Sequence, residues 1–303
     1  MKEIYLIDNN SSNTRLDRWF RRNISNVPQS LIEKNIRKGN IKVNDTKEKS
    51  SYKLQEKDRV IIYNKNFIPD KHKKKSSRYT ATKKDLKQST SIFIENNENF
   101  AVINKPAGIA VQPGTKSKKN IMDILRYTKE FNGMNPFTVH RIDKETTGLL
   151  IVAKNRKYAQ LFTSMFRLRK INKTYLCIVK GEMSKSKGTL KNVLYNYEGE
   201  KKIKNIAITN YIVIDSNSNY SLLQLNPETG RKHQLRKQLL IQGLPILGDN
   251  KYRISESFNN HKNKLMLHAY KINFSINDKK FKFLAEPTLE FKKTLKEKYL
   301  KNF

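Results

Sequence analysis

His140-Arg141-Ile142-Asp143-Lys144-Glu145-Thr146-Thr147-Gly148-Leu149-Leu150-Ile151-Val152-Ala153 is the stretch on which the fold of this chain turns. Its first eight residues are polar apart from Ile142, and an unbroken apolar run follows Gly148. A run that short, entered through a glycine, reads as a strand buried in a sheet rather than as a helix. An acid flanked by Arg141 and Lys144 therefore stands where buried core meets solvent. By residue type alone, Asp143 is either a functional carboxylate or an aspartate that closes a turn. An arginine partner would keep such a carboxylate ionised.

A second polar segment lies downstream at residues 227–236, Pro-Glu-Thr-Gly-Arg-Lys-His-Gln-Leu-Arg, followed by Gly-Leu-Pro-Ile-Leu-Gly-Asp at 243–249. Between and around these two segments the pattern is mixed. Residues 91–94, 100–103, 175–179 and 222–225 read as strands, and Lys105-Pro106-Ala107-Gly108 reads as a turn. Tyr158, Leu161, Phe162, Met165 and Phe166 fall on one face of a helix and belong to a core. Strands outnumber helices, which predicts an α+β catalytic domain over 91–303 with a mixed, largely antiparallel sheet and flanking helices.

Upstream, residues 12–64 read as a small α/β module. Leu16, Trp19 and Phe20 share a helical face, and Ile32 and Ile36 share another on a second helix ending at Gly39. Strands follow at 41–43 and 60–63. Arg15, Arg18, Arg37 and Lys38 on this module are candidate RNA contacts, arginine being the better fork for phosphate. Residues 65–90 hold many lysines and few apolar side chains, and read as a basic flexible linker.

The composition narrows the function. The 303 residues carry 62 Lys plus Arg against 27 Asp plus Glu, a net charge of +35. With 47 Lys and only 15 Arg, part of that excess is the bias an AT-rich genome imposes. The remainder still calls for a polyanion. No apolar run approaches the ~18–20 residues a bilayer span needs, and no long amphipathic helix pairs aromatic residues with lysines, so nucleic acid is the expected partner rather than membrane. The start of the chain has the pattern of neither a signal nor a transit peptide. The single cysteine, Cys177, excludes internal disulfides and fits a reducing compartment. A glycine-rich phosphate loop, a nucleophile elbow and a His or Cys pair at metal spacing are all missing from the sequence.

The string HRIDKETTGLLIVAKN at 140–155 resembles the signature of the RluA-type family of RNA pseudouridine synthases. The likeness runs through the chain in order. It takes in Asn104-Lys105-Pro106-Ala107-Gly108, Lys173-Thr174-Tyr175 through Gly181, residues 228–236 with 248–252, and the late strand at 265–269. Residues 12–63 resemble the S-four-type RNA-binding module, and 27–39 are closest to the RluC branch acting on bacterial large-subunit rRNA. The resemblance implies isomerisation of uridine without metal or cofactor: the base is cut from its sugar, turned and rejoined through carbon 5.

Residue by residue, Asp143 matches the catalytic aspartate, either nucleophile or base on the sugar. Arg141 matches the arginine that fills the gap left by the flipped uridine. Tyr175 matches the tyrosine that packs on the base and helps remove the carbon-5 proton. Arg236 matches the partner of the aspartate, with Arg231 the second choice. His140, Thr147 and Lys173 complete the expected substrate contacts. Thr147 stands in place of the usual Ser, Ile142 of Leu, and Lys237-Gln238 of Val-His. The resemblance further implies a monomer in a bacterial cytoplasm or an organelle of bacterial origin. A tRNA substrate, or a catalytically silent RNA-binding or ribosome-assembly protein, is the alternative.

Overall fold

The structure is a computed structural model that describes residues 2–63, 79–89, 91–114, 119–198, 201–254 and 264–301. The chain divides into two compact units, Met1–Ser76 and Ser77–Phe303.

In the first unit, strands β1 (Glu3–Leu6), β2 (Ile41–Val43) and β3 (Arg59–Ile62) form an antiparallel sheet in the order β1-β3-β2. Helices α1 (Leu16–Asn23) and α2 (Gln29–Arg37) lie between β1 and β2 in sequence. Leu16, Trp19 and Phe20 of α1 and Ile32 and Ile36 of α2 meet Ile41, Val43 and Ile62 in one core, as their spacing predicts. The unit begins earlier than residue 12, because alternation in Glu3-Ile4-Tyr5-Leu6 supplies a strand that pairs with β3.

The second unit contains α3 (Lys83–Ser89), β4 (Phe93–Asn96), β5 (Phe100–Lys105), α4 (Ile121–Leu125), β6 (Phe137–Thr138), β7 (Thr147–Ala153) and α5 (Arg156–Arg167). There follow β8 (Asn172–Lys180), β9 (Lys187–Glu198), β10 (Lys201–Ser216), β11 (Tyr220–Pro227), α6 (Gln234–Ile241), β12 (Leu267–Ile276), β13 (Lys279–Leu284) and α7 (Leu289–Glu297). Ten strands make one sheet, β4-β5-β7-β12-β8-β11-β10-β9, with β6 added to β7 and β13 to β12. Every pairing is antiparallel except the short β7–β12 contact, so the α+β, largely antiparallel expectation holds.

The apolar run after Gly148 is the interior strand β7. Its residues alternate between two cores. Leu149, Ile151 and Ala153 pack with Phe162 and Met165 of α5, while Leu150 and Val152 pack with Ile121, Ile124 and Leu125 of α4. Gly148 has φ +104°, and a Cβ there would collide with the Ala269 carbonyl. Glycine is what lets β7 and β12 run side by side at this point.

The segment 65–90 is not one linker. Residues 64–78 and 90 lie outside the described residues, and with them Lys71, Lys73, Lys74, Lys75 and Arg78. Residues 79–89 are folded into the second unit. Asp85, buried on α3, accepts from the Tyr79 hydroxyl at 2.6 Å and from the Thr82 amide at 2.9 Å, and it pairs with Lys119. The Tyr79 amide donates to Asp123 of α4 at 3.2 Å. One buried acid thus organises a stretch that its lysine content marked as solvated. Among the described residues no helix is long and apolar enough to cross a membrane.

Candidate active site

The loop carrying Asp143 is pinned from both sides. On one side, the Lys105 ammonium, buried under the Lys-Pro-Ala-Gly turn, donates to the carbonyls of Pro106 at 2.7 Å, Ile109 at 3.0 Å and Lys144 at 3.1 Å. Burial lowers this lysine to about 7, against the opposing pull of Glu145 and then Asp143. On the other side, His140 Nε2 accepts the amide N–H of Ile151 at 2.8 Å, and its ring stacks on Phe166 with centroids 4.3 Å apart. Burial, and then the charge of Lys173, push His140 down to about 3, so it is a neutral acceptor. His140 lines the cleft, but its ring nitrogen is spent on holding the loop to β7.

Asp143 Oδ2 accepts from Arg236 Nη1 at 3.0 Å. Arg236 sits on α6, 8% exposed, and is itself held by Asp249 through Nε and Nη2 at 2.7 Å each. Asp249 Oδ1 also accepts the amides of Lys251 and Tyr252, both at 2.9 Å. Burial alone would raise Asp249. The Arg236 hydrogen bonds and these two amides outweigh it and hold the carboxyl below the usual range. The Tyr252 ring lies 5.0 Å from the guanidinium carbon, and its hydroxyl meets His233 Nδ1 at 2.8 Å. His233 begins α6 in the left-handed region, φ +54°, with Nε2 3.7 Å from Asp143. Burial pushes His233 below its ordinary value, with the Asp143 charge opposing.

Tyr175 comes from β8 and packs among the cores on both sides of the sheet. Burial first, and the Asp143 charge second, raise its hydroxyl far above the ordinary tyrosine value, so the ring is a neutral phenol. Asp143, Tyr175 and Arg236 open on one cleft of about 940 Å³, near the upper end of the ~300–1,000 Å³ typical of small-ligand sites. Arg141, Arg231, His140 and Lys173 line the same cleft.

One expected contact is elsewhere. Thr147 faces the interior, where its hydroxyl meets His268 Nδ1 at 2.7 Å and the other nitrogen of that ring lies 2.9 Å from the Ala285 carbonyl oxygen. A side chain enclosed in this way is part of the core, not of the substrate surface. In the first unit, Arg15 has its guanidinium 2.6 Å from the buried Asp17 with its side chain still 41% exposed, and Arg18, Arg37 and Lys38 are exposed. Arg231 does not pair with Asp143. It is exposed and donates from Nε to the Ile206 carbonyl at 3.2 Å.

Gln238, where the sequence departs from its resemblance, is fully buried. It donates to the Leu190 carbonyl at 2.9 Å and the Ala207 carbonyl at 3.2 Å, and accepts from Thr209 at 2.7 Å. The exchange ties α6 to β9 and β10. Residue type alone assigns no role to Asp249, His233 or Tyr252. The signal available for them was the Gly248-Asp249 pair inside the third motif.

A family model described as RNA pseudouridylate synthase matches residues 99–240. The ribosomal large subunit pseudouridine synthase C of Rickettsia conorii is 35% identical over 258 residues, 82% of this chain and 85% of its own length. The protein of the same name from Buchnera aphidicola subsp. Schizaphis graminum is 33% identical over 291 residues, 89% of this chain and 88% of its own. Among solved structures, Human RNA Pseudouridylate Synthase Domain Containing 4 superposes with a TM-score of 0.63 at 26% identity, over 72% of this chain and 96% of that one. Fold, cleft and matches define an RNA-modifying isomerase. The chain belongs to the RNA pseudouridylate synthase family.

Proposed function

We propose that this chain converts uridine to pseudouridine in large-subunit ribosomal RNA, with Asp143 as the carboxylate that acts on the ribose. The observation that carries the assignment is the Asp143–Arg236 pair, set in a cleft beside Tyr175 and fixed from behind by Asp249. A flipped base would lose its stacking on entering such a cleft. Tyr175, as a neutral ring, offers a packing face in return. Its raised hydroxyl makes it a poor phenolate, which favours packing over removal of the carbon-5 proton. Arg141 is exposed at the rim, where it can occupy the space the uridine leaves.

The rRNA substrate is supported by relatives named ribosomal large subunit pseudouridine synthase C that cover most of the chain. On this reading the protein works in a bacterial or bacterium-derived compartment. The first unit, with Arg18, Arg37 and Lys38 exposed, serves as an RNA-binding module.

The test is tritium release from RNA labelled at uridine carbon 5, since rejoining through that carbon expels its hydrogen to water. Unmodified large-subunit rRNA and tRNA are offered separately. Release from rRNA is expected with the native protein, and none with Asp143→Asn, while that variant keeps its RNA affinity. Turnover by Asp143→Asn would overturn the role of Asp143, and release from tRNA alone would overturn the substrate.

A further inference from the structure

The cleft holds more positive charge than its own acids neutralise. Arg167, Arg169 and Lys173 line it together, and none of them forms an ion pair among the described residues. The two carboxylates in the lining are committed elsewhere, Asp143 to Arg236 and Glu228 to the Asn210 side-chain amide at 3.0 Å. Lys173 is pushed below the ordinary lysine value by burial and then by the charge of Arg169. The two cations repel each other with no counter-charge between them, an arrangement that stabilises a bound anion.

Arginine at a helix C-terminus can simply answer the negative end of the helix dipole. Here that end is already closed. The Lys170 amide donates to the Met165 carbonyl at 2.9 Å and the Arg169 amide to the Phe166 carbonyl at 3.2 Å, the two bonds of a Schellman cap on α5. Arg169 occupies the left-handed position of that cap, φ +58°, where glycine is the usual residue. A bulky side chain there costs some strain, as it does for Tyr299 in the matching cap of α7. The chain is sparing with arginine, yet two of its 15 stand at 167 and 169.

We propose that Arg169 and Lys173, with Arg167 beside them, form a phosphate-binding subsite that grips a backbone phosphodiester next to the uridine entering the cleft. This rests on RNA being the substrate of the same cleft. Arg169 reaches the subsite from the end of α5 and Lys173 from β8, so the phosphate would be held from two elements.

The backbone supplies a clean variant. Arg169→Gly removes the guanidinium and leaves the residue that the left-handed position favours, so its melting temperature should equal or exceed that of the native protein. Binding of the full-length protein to a uridine-containing rRNA hairpin is measured over a salt series, together with single-turnover tritium release from the same RNA. Loss of one phosphate contact is expected to flatten the log–log salt slope by about 0.7–0.9. KM should rise by a larger factor than kcat falls. Arg169→Lys should restore most of the slope, and Lys173→Met should flatten it as Arg169→Gly does.

An unchanged slope in Arg169→Gly would overturn the subsite. So would a fall in kcat with affinity intact, or a lowered melting temperature accompanied by an unchanged slope in Lys173→Met. Because the salt slope is read from binding alone, it stands even if no RNA releases tritium. That second result would remove the isomerisation reading instead.

Discussion

Replacing Asp249 by asparagine tests how the central guanidinium is held. The Asp249 side chain is fully buried and that of Arg236 only 10% exposed, so their two 2.7 Å contacts are made almost without water. Asparagine keeps the shape and one carbonyl oxygen, but it sets an amide N–H against a guanidinium N–H and removes the charge. Breaking one member of a buried pair costs about 3–5 kcal/mol. Because asparagine can still accept the Lys251 and Tyr252 amides, the lower end, ~3 kcal/mol, is expected.

At about 2–4 °C per kcal/mol for a domain of this size, the melting temperature should fall by roughly 6–12 °C. Arg236 would also lose the anchor that aims Nη1 at Asp143, and if Asp143 reacts as proposed, a displacement of order 1 Å there costs about a hundredfold in rate. Thermal melts and single-turnover tritium release measure the two effects.

The pH dependence adds a sign. A carboxyl held below its unfolded value contributes fully above about pH 4 and loses that contribution as pH falls through the folded value. The deficit of Asp249→Asn should therefore be constant from pH 8 to 5 and shrink only under more acid conditions. A melt within 2 °C of the native protein, or a deficit that shrinks between pH 7 and 5, would refute the reasoning.

Thr147→Val should cost about 1–2 kcal/mol, because His268 Nδ1 loses its buried donor, with KM unchanged and Thr147→Ser close to native. A raised KM would return Thr147 to the substrate surface. Burial holds His140 down to about 3 and His268 down to about 4, with Lys173 adding to the first and Ala285 and Glu286 opposing the second. Both rings bind a proton in the unfolded chain near pH 6.5 and resist one in the fold. Stability is therefore complete above that pH and falls below it, by up to about 1.4 kcal/mol per pH unit for each ring. Urea unfolding at pH 7.5, 6.0 and 5.0 measures this, and a flat profile would contradict it.

What the sequence disclosed of the site depended on order along the chain. Asp143, Tyr175 and Arg236 are far apart in number, and singly each has an ordinary structural reading. Their succession in recognisable motifs marked them, and the structure places them in one cleft. Asp249 stands inside the third motif, but its task of holding Arg236, 13 residues away, is a pairing that residue type alone does not record. Thr147 misled for the converse reason: it lies inside the signature, yet strand alternation turns it to the core, towards a histidine 121 residues away. Composition failed for residues 79–89, where a lysine-rich stretch is folded around one buried acid, Asp85. Strand identity was legible wherever apolar residues ran together, as in β7. The order of strands in the sheet was not, since it is set by contacts distant in sequence.

The position of β12 bears on how the protein is made. This strand lies between β7 and β8, although it is the last but one to be synthesised. At about 5–20 residues per second, roughly 5–20 s of synthesis separate the end of β8 from the end of β12. During that interval the start of β7, beyond the part that β6 covers, and the edge of β8 that β12 will occupy have no partner there, and an unpaired edge invites aggregation. The first unit, built from neighbouring segments, can close long before. Nascent chains of this protein should therefore emerge with the small module folded and the large sheet split, and become competent for chemistry only when one late strand zips its two halves together.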